Sequence, residues 1–252
     1  MSLAKVLIPL FLFTLIPCSA NAGVYYKAII QSNMDSDQRI EETYISGTKM
    51  KTLIDGEHGW LVDLAEGKMW DYDLKRGTYY VISFPEINRE LDAFKKGVNQ
   101  MDDLPDNEIA ELLEGETVRQ NPKTPEVNGE WKTTKKKKEI NGQNCFLIQV
   151  DLSKNHYQHL WVTDDLPFVE EVRYFWSAFY RNVFGKLNAF PELKQQYQIL
   201  SELPGFTMEK VTRIEAFQDQ YYEEIEKVQV IEEKQFKESV FLLPPSLSEI
   251  KE

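Results

Sequence analysis

Histidine is the side chain most readily used for proton transfer or metal binding near neutral pH. This sequence has three: His58, His156 and His159. His156 and His159 stand three apart in a segment that reads as a strand, so they point to opposite faces. They cannot chelate one ion together, and His58 is remote in sequence, so no metal ligand and no cofactor is assigned. Glu86, Glu90 and the group Glu223-Glu224-Glu226 supply carboxylates for acid/base work. Such a pair needs one carboxyl buried so that the two pKa values separate; scattered through an acidic chain, these read as solvated. No G-x-S-x-G motif, phosphate loop or dinucleotide fingerprint is present. Cys145 precedes Phe146-Leu147-Ile148 and reads as a buried, inert thiol rather than a nucleophile. No catalytic residue is assigned, and the chain reads as a non-enzyme.

Binding is the chemistry that remains. The aromatic stretch Phe168–Phe184 places Phe168, Val172, Phe175, Phe179 and Val183 on a helical stripe, widened by Trp176, Tyr180 and Phe184. A stripe that wide faces a core or lines an apolar hollow. With Trp60, Trp70 and Tyr80 from the strands, Phe175, Trp176 and Phe179 are the candidate lining of a hydrophobic ligand site. Lys132 and the run Lys135–Lys138 read as the dressing of an exposed edge strand; the alternative is a basic spot for an acidic partner or a lipid headgroup.

The elements that must position these residues follow from pattern and punctuation. Val24–Met34, Arg39–Ile45, Lys49–Ile54, Trp60–Leu64, Met69–Leu74 and Thr78–Phe84 read as strands. From Arg39 onward they are separated by Gly-containing turns, the mark of an antiparallel meander. Tyr79 and Val81 oppose Tyr80 and Ile82, so both faces of the sheet need cover. Helical spacing follows over Glu86–Met101 and Asn107–Glu114, then a Pro-containing loop over Gly115–Asn128. Glu130–Ile140 and Cys145–Leu152 flank an Asn141-Gly142 hairpin turn, and His156–Thr163 reads as the next strand. Helices are expected from Pro167 and over Pro191–Glu202, and strands over Phe206–Phe217, Val228–Glu232 and Phe236–Leu242. The fold class is α+β, with helices against one curved antiparallel sheet.

The amino terminus reads as a cleaved signal peptide over residues 1–22. Lys5 precedes the apolar run Val6–Pro17, and Ala20-Asn21-Ala22 gives the small-x-small pattern before Gly23. The run is shorter than the roughly 20 apolar residues a membrane span requires. Residues 23–252 are expected to form a single domain, periplasmic or secreted, with no transmembrane span after signal removal. The formal charge of −12 gives no general attraction for nucleic acid or anionic lipid surfaces. With Cys18 in the leader, Cys145 has no disulfide partner, so stability must come from packing.

The stretch Tyr44–Phe84 runs through a short strand, a Gly turn, a Lys-rich strand and an apolar strand ending on a turn that opens with Asp63-Leu64 and closes with Lys68. Together with Ile140, Gly142, Cys145, Trp161 and Val162 in Lys138–Leu166, and the closing Val240-Phe241-Leu242-Leu243-Pro244-Pro245, it resembles the outer-membrane lipoprotein-carrier (LolA/LolB-like) superfamily. The resemblance is closest to that superfamily's little-characterised periplasmic members. It rests on turns and strands, and no ligand residue is carried over. It implies an incomplete antiparallel barrel wrapped around helices, whose hollow takes acyl chains. The expected function is non-enzymatic binding of a lipid or acylated protein. The alternative is a cell-envelope interaction or structural module, with a protein partner and a core filled by its own side chains. A structure that shows whether the hollow is open separates the two.

Overall fold

The computed structural model describes residues 21–91, 93, 130–153, 155–183, 198–199, 201–215 and 221–250. The signal-peptide run, most of the expected Glu86–Met101 helix, the expected Asn107–Glu114 helix and the 115–128 loop lie outside them. So does most of the expected Pro191–Glu202 helix.

Turn chemistry sets the first half. Asp55 and Gly56 have φ of 52° and 71°, and Asn141 and Gly142 have φ of 51° and 76°. Paired positive φ values suit a tight hairpin turn of the strand-compatible twist, and Asp-Gly and Asn-Gly adopt them most readily; Asn141-Gly142 alone joins the paired Ile140 and Gln143, while Asp55-Gly56 and Glu57 join Ile54 and His58. Through such turns β1 (Asn21–Ser32), β2 (Arg39–Ser46), β3 (Lys49–Ile54), β4 (His58–Asp63), β5 (Lys68–Asp73) and β6 (Thr78–Ser83) form one antiparallel meander. A second comprises β7 (Glu130–Ile140), β8 (Gln143–Ser153), β9 (His156–Thr163), β10 (Phe206–Glu215) and β11 (Tyr221–Phe236). The two join where β1 pairs with β11, from Asn21 opposite Phe236 to Ser32 opposite Glu224. The result is a 12-stranded sheet of order β12-β6-β5-β4-β3-β2-β1-β11-β10-β9-β8-β7. It is antiparallel except where the short β12 (Ser248–Glu249) runs parallel to β6. The sheet does not close, and its order fits an incomplete barrel. Helix is a minor part of the described residues, less than an α+β reading of the sequence anticipates.

Each face has its own cover. Helix α1 spans residues 84–91 and helix α2 is Val169–Val183. Val169, Val172, Phe175, Phe179 and Val183 are the buried side of α2, as helical spacing requires. Phe84 meets Phe179 edge-on at 6.0 Å, and the cluster extends to Val24, Tyr26, Ile45, Met50 and Val62 of the strands. Glu170 and Glu171 in the first turn and Arg181 in the last complement the helix dipole. Glu171 also accepts the Gly47 N–H at 3.1 Å, tying α2 to the β2–β3 turn. On the opposite face Leu61 and Tyr72 are covered by Phe241, carried on a 3-10 turn over Glu238–Phe241. Val240, Leu243 and Leu247 pack beside them.

Two carboxyl-terminal expectations differ from the structure. β11 is one strand of 16 residues where the sequence suggested a short one over Val228–Glu232. The expected strand Phe236–Leu242 is instead the end of β11 followed by the 3-10 turn. Hydrogen bonding to β1 on one side and β10 on the other holds β11 extended despite its many glutamates. β7 is an edge strand, and its register shifts between Thr133 and Lys137. Lys132, Lys135, Lys136 and Lys137 are exposed there, a bulged and charged edge that resists pairing with another sheet. Lys138 turns inward, with Nζ 2.6 Å from Glu209 and 4.3 Å from the centre of the Trp161 ring. Cys145 is 2% exposed, and burial pushes its thiol pKa up.

Candidate functional site

The centre of the sheet brings charged side chains onto the face that α2 covers. Glu41 of β2 lies opposite Ala28 of β1, and Ala28 lies opposite Val228 of β11. Two residues along, Ile30 pairs with Glu226, Glu226 with Lys210 of β10, and Lys210 with Leu160 of β9. Cross-strand partners share a face. The small side chain of Ala28 leaves room over β1, so Glu41 and Glu226 act on each other across it. Lys210 Nζ lies 2.5 Å from Glu226 Oε2, and both side chains are about three-quarters buried. Thr43 donates its hydroxyl to Glu41 at 3.2 Å.

This setting displaces several proton affinities. Burial, helped by the neighbouring Glu226, raises the Glu41 carboxyl to about 7; Thr43, Lys210 and Arg39 oppose the shift. Burial and the same two glutamates drive the Tyr26 phenol upward, so it stays protonated. Burial by itself pulls the Lys210 ammonium down, but Glu226, Glu224 and Glu41 outweigh it and leave it raised. A carboxyl poised near neutrality beside a fixed ion pair is able to take up or release a proton when a ligand arrives.

The groups open into a cleft of about 250 Å³. Its floor is Tyr26, Glu41, Lys210 and Glu226; its roof is Val172, Arg173 and Trp176 of α2. Leu203, Gly205, Phe206 and Thr207 close one side, with Leu160 behind them. Gly205 is needed for that closure, since a Cβ there would sit 2.2 Å from the Thr163 carbonyl oxygen. Tyr26 and Phe206 meet edge-to-face at 5.3 Å. The Thr207 hydroxyl oxygen is buried and has no hydrogen-bond partner among the described residues. A second depression, about 600 Å³ beside the β7–β8 hairpin, is lined by Lys137, Lys138, Glu139, Asp164 and Asp165, with Phe146 and Cys145. Its lining is mainly charged and polar, with Phe146 as its aromatic residue, so the cleft under α2, walled by Tyr26, Trp176 and Phe206, is the stronger candidate.

The sequence-derived lining residues are distributed unevenly. Trp176 lines the cleft. Phe175 is fully buried beneath α2, its ring stacked 6.3 Å from that of Phe179. Phe179 packs on Phe84. Trp60 packs against the same cluster, and register places it in one row with Asp71 and Tyr80. Trp70 lies with Leu61 and Tyr72 on the opposite face, under the carboxyl-terminal segment. Glu41, Lys210 and Tyr26 were not singled out by sequence. The available signal was a carboxylate in phase with the buried Thr43 and Ile45, at a strand position that otherwise holds core residues. Among the described residues no group of three His, Cys, Asp or Glu side chains is arranged to hold a metal ion. None of their helices is long and apolar enough to cross a membrane.

No protein-family model matches the chain, and no curated protein matches it in sequence. Solved structures do match. An uncharacterized conserved protein from Thermus thermophilus is 6% identical with a TM-score of 0.44, over 92% of this chain and 91% of that one. A DUF1329 family protein from Desulfovibrio piger is 11% identical with a TM-score of 0.30, over 90% and 91%. A LolA superfamily protein from Nitrosomonas europaea is 6% identical with a TM-score of 0.32, over 89% and 91%.

Proposed function

We propose that this protein is an exported, non-enzymatic binding protein that takes an amphipathic ligand, a lipid or an acylated protein, in the cleft between α2 and the sheet. The observation that carries this reading is the cleft's composition: aromatic and aliphatic walls meet buried charged groups in one space. Ligand sites combine apolar walls with a few placed polar groups in this way. At about 250 Å³ the cleft is smaller than the roughly 300–1,000 Å³ that holds a whole drug-sized ligand. It suits the polar end of a ligand and the first part of its chain, with the remainder outside.

Native mass spectrometry of gently purified protein, followed by solvent extraction, tests the reading. Bound lipid, with weaker binding after Trp176→Ala, is the expected result. A ligand-free protein that also ignores added fatty acids, phospholipids and acylated peptides would sink it. That outcome would favour an envelope interaction module, a reading supported by the solid packing of Phe175, Phe179 and Val183. Export is part of the proposal, with Gly23 as the first mature residue and a periplasmic or secreted location. Intact mass from the source cell checks it, and a retained Met1 or a lipid on Cys18 would overturn it. Residues 23–252 are also proposed to fold as one unit, because β1 at the start of the sheet pairs with β11 near its end. Cooperative folding of residues 23–130 alone would contradict this.

A further inference from the structure

The charges around the cleft are matched with one exception. Lys210 pairs with Glu226, Arg39 with Glu224 at 2.9 Å, and Arg173 on α2 with Glu170. Glu41 belongs to no ion pair among the described residues and has the Thr43 hydroxyl as its hydrogen-bond donor. It lines a space whose other walls include the rings of Tyr26, Trp176 and Phe206. An uncompensated carboxylate beside aromatic rings is the chemistry that recognises an organic cation: the carboxylate supplies the counter-charge and the rings supply attraction to their faces. We propose that the polar end of the ligand is a primary or quaternary ammonium, with Glu41 as its counter-ion and Tyr26, Trp176 and Phe206 as the surrounding walls. This rests on the cleft being the ligand site and specifies which amphiphiles it takes.

The groups facing Glu41 support the assignment from every side. On β2, Arg39 is engaged by Glu224 and Thr43 donates its hydroxyl; on β1, Tyr26 presents a protonated phenol. On β10 and β11, Lys210 and Glu226 neutralise each other. Above, Arg173 is held by Glu170. A fatty-acid carboxylate entering here would add a negative charge to a site already short of positive ones. An ammonium balances it. Because the Glu41 carboxyl stands at about 7 in the free protein, a cation that holds it ionised must displace its proton. Cation affinity therefore rises with pH through neutrality, while an anion that needs Glu41 protonated binds more tightly as pH falls.

Three amphiphiles of one chain length separate the possibilities: octyltrimethylammonium, octanoate and octanol, titrated below micelle formation and followed by calorimetry. At about pH 8.5, octyltrimethylammonium is expected to bind about tenfold more tightly than octanoate, and to lose most of that advantage at about pH 5.5. Glu41→Gln, nearly the same shape, should bring octyltrimethylammonium to the level of octanol and flatten its pH dependence. Trp176→Leu should lower the preference for the cation over octanol while keeping an apolar wall. Octanoate binding as well as or better than the cation overturns the proposal and leaves the ligand-binding reading standing. So does a cation preference that survives Glu41→Gln in a variant that unfolds cooperatively and is at least as stable as the wild type. If none of the three amphiphiles binds, both readings fail.

Discussion

The two faces of the first meander are finished in different ways. On one, Leu61, Tyr72 and Phe241 are each at most 5% exposed, sealed by the chain's own carboxyl-terminal segment. On the other, α2 packs tightly where Phe175 and Phe179 descend, then leaves a charged cleft where Trp176 and Arg173 overhang Glu41 and Lys210. Both faces are built from strands that are apolar on alternate residues, so alternation does not tell a sealed face from an open one. What distinguishes them is how a buried carboxylate is offset: Asp63 on the sealed side accepts the Ala65 and Glu66 N–H groups and lies 3.6 Å from Lys49, whereas Glu41 has the Thr43 hydroxyl. On the sealed face Lys51 lies over the Tyr72 ring and Asp63 is hydrogen-bonded, and the cover closes; where Glu41 points inward without an ion pair among the described residues, closing would strand charge away from water.

That contrast is open to three measurements, each by denaturant unfolding. The largest effect is expected on the sealed face. Tyr72 is 1% exposed, and Tyr72→Ala should cost about 3–5 kcal/mol, since the cavity it leaves cannot collapse between sheet and segment. A loss below about 1 kcal/mol would mean that this face is not sealed. The next effect belongs to the cleft. The folded protein holds the Glu41 carboxyl at about 7, against 4.5 for an unperturbed glutamate. A raised carboxyl favours the protonated form in the folded state, so the native chain binds more protons than the unfolded one between these values. Stability attributable to Glu41 therefore falls as pH rises from about 4.5 to about 7, and the deficit stays constant above that. After allowance for solvent screening it amounts to about 1–2 kcal/mol. Glu41→Gln should remove it, making the variant the more stable protein at about pH 8; a variant with the wild-type pH profile would show that Glu41 is solvated. The smallest effect isolates one hydrogen bond. The Tyr72 hydroxyl donates to the Thr52 carbonyl at 3.0 Å, passing over Gly59, where a Cβ would sit 2.8 Å from that hydroxyl. Tyr72→Phe should cost about 1 kcal/mol without disturbing the cleft.

Sequence legibility follows the same division. The Asp55-Gly56 and Asn141-Gly142 turns and the stripe Val172, Phe175, Phe179, Val183 were readable because each depends on neighbours a few residues away. β11 was not. Glu223, Glu224, Glu226, Glu232 and Glu233 suggest a solvated segment, and it is strand pairing on both sides that makes it central. Arg39, Lys210 and Lys234 then pair with three of those glutamates. The candidate site was illegible for a related reason. Glu41, Lys210 and Glu226 come from three strands, and nothing local to any one of them announces the others. Trp176 was found because it belongs to the helical stripe's margin, where a side chain is able to face both core and cleft.

The junction of β1 with β11 has a consequence for how the protein is made. β1 is synthesised long before β11, and one side of its backbone has no strand to bond until residues 221–236 exist. The first meander is therefore left with an unsatisfied edge until β11 is made, and closing so long a loop is slow compared with forming local hairpins. A chain ordered this way stays pliable while it is being made. If it is threaded through a membrane as an extended polymer, the late arrival of β11 keeps it threadable and defers completion of the sheet to the far side.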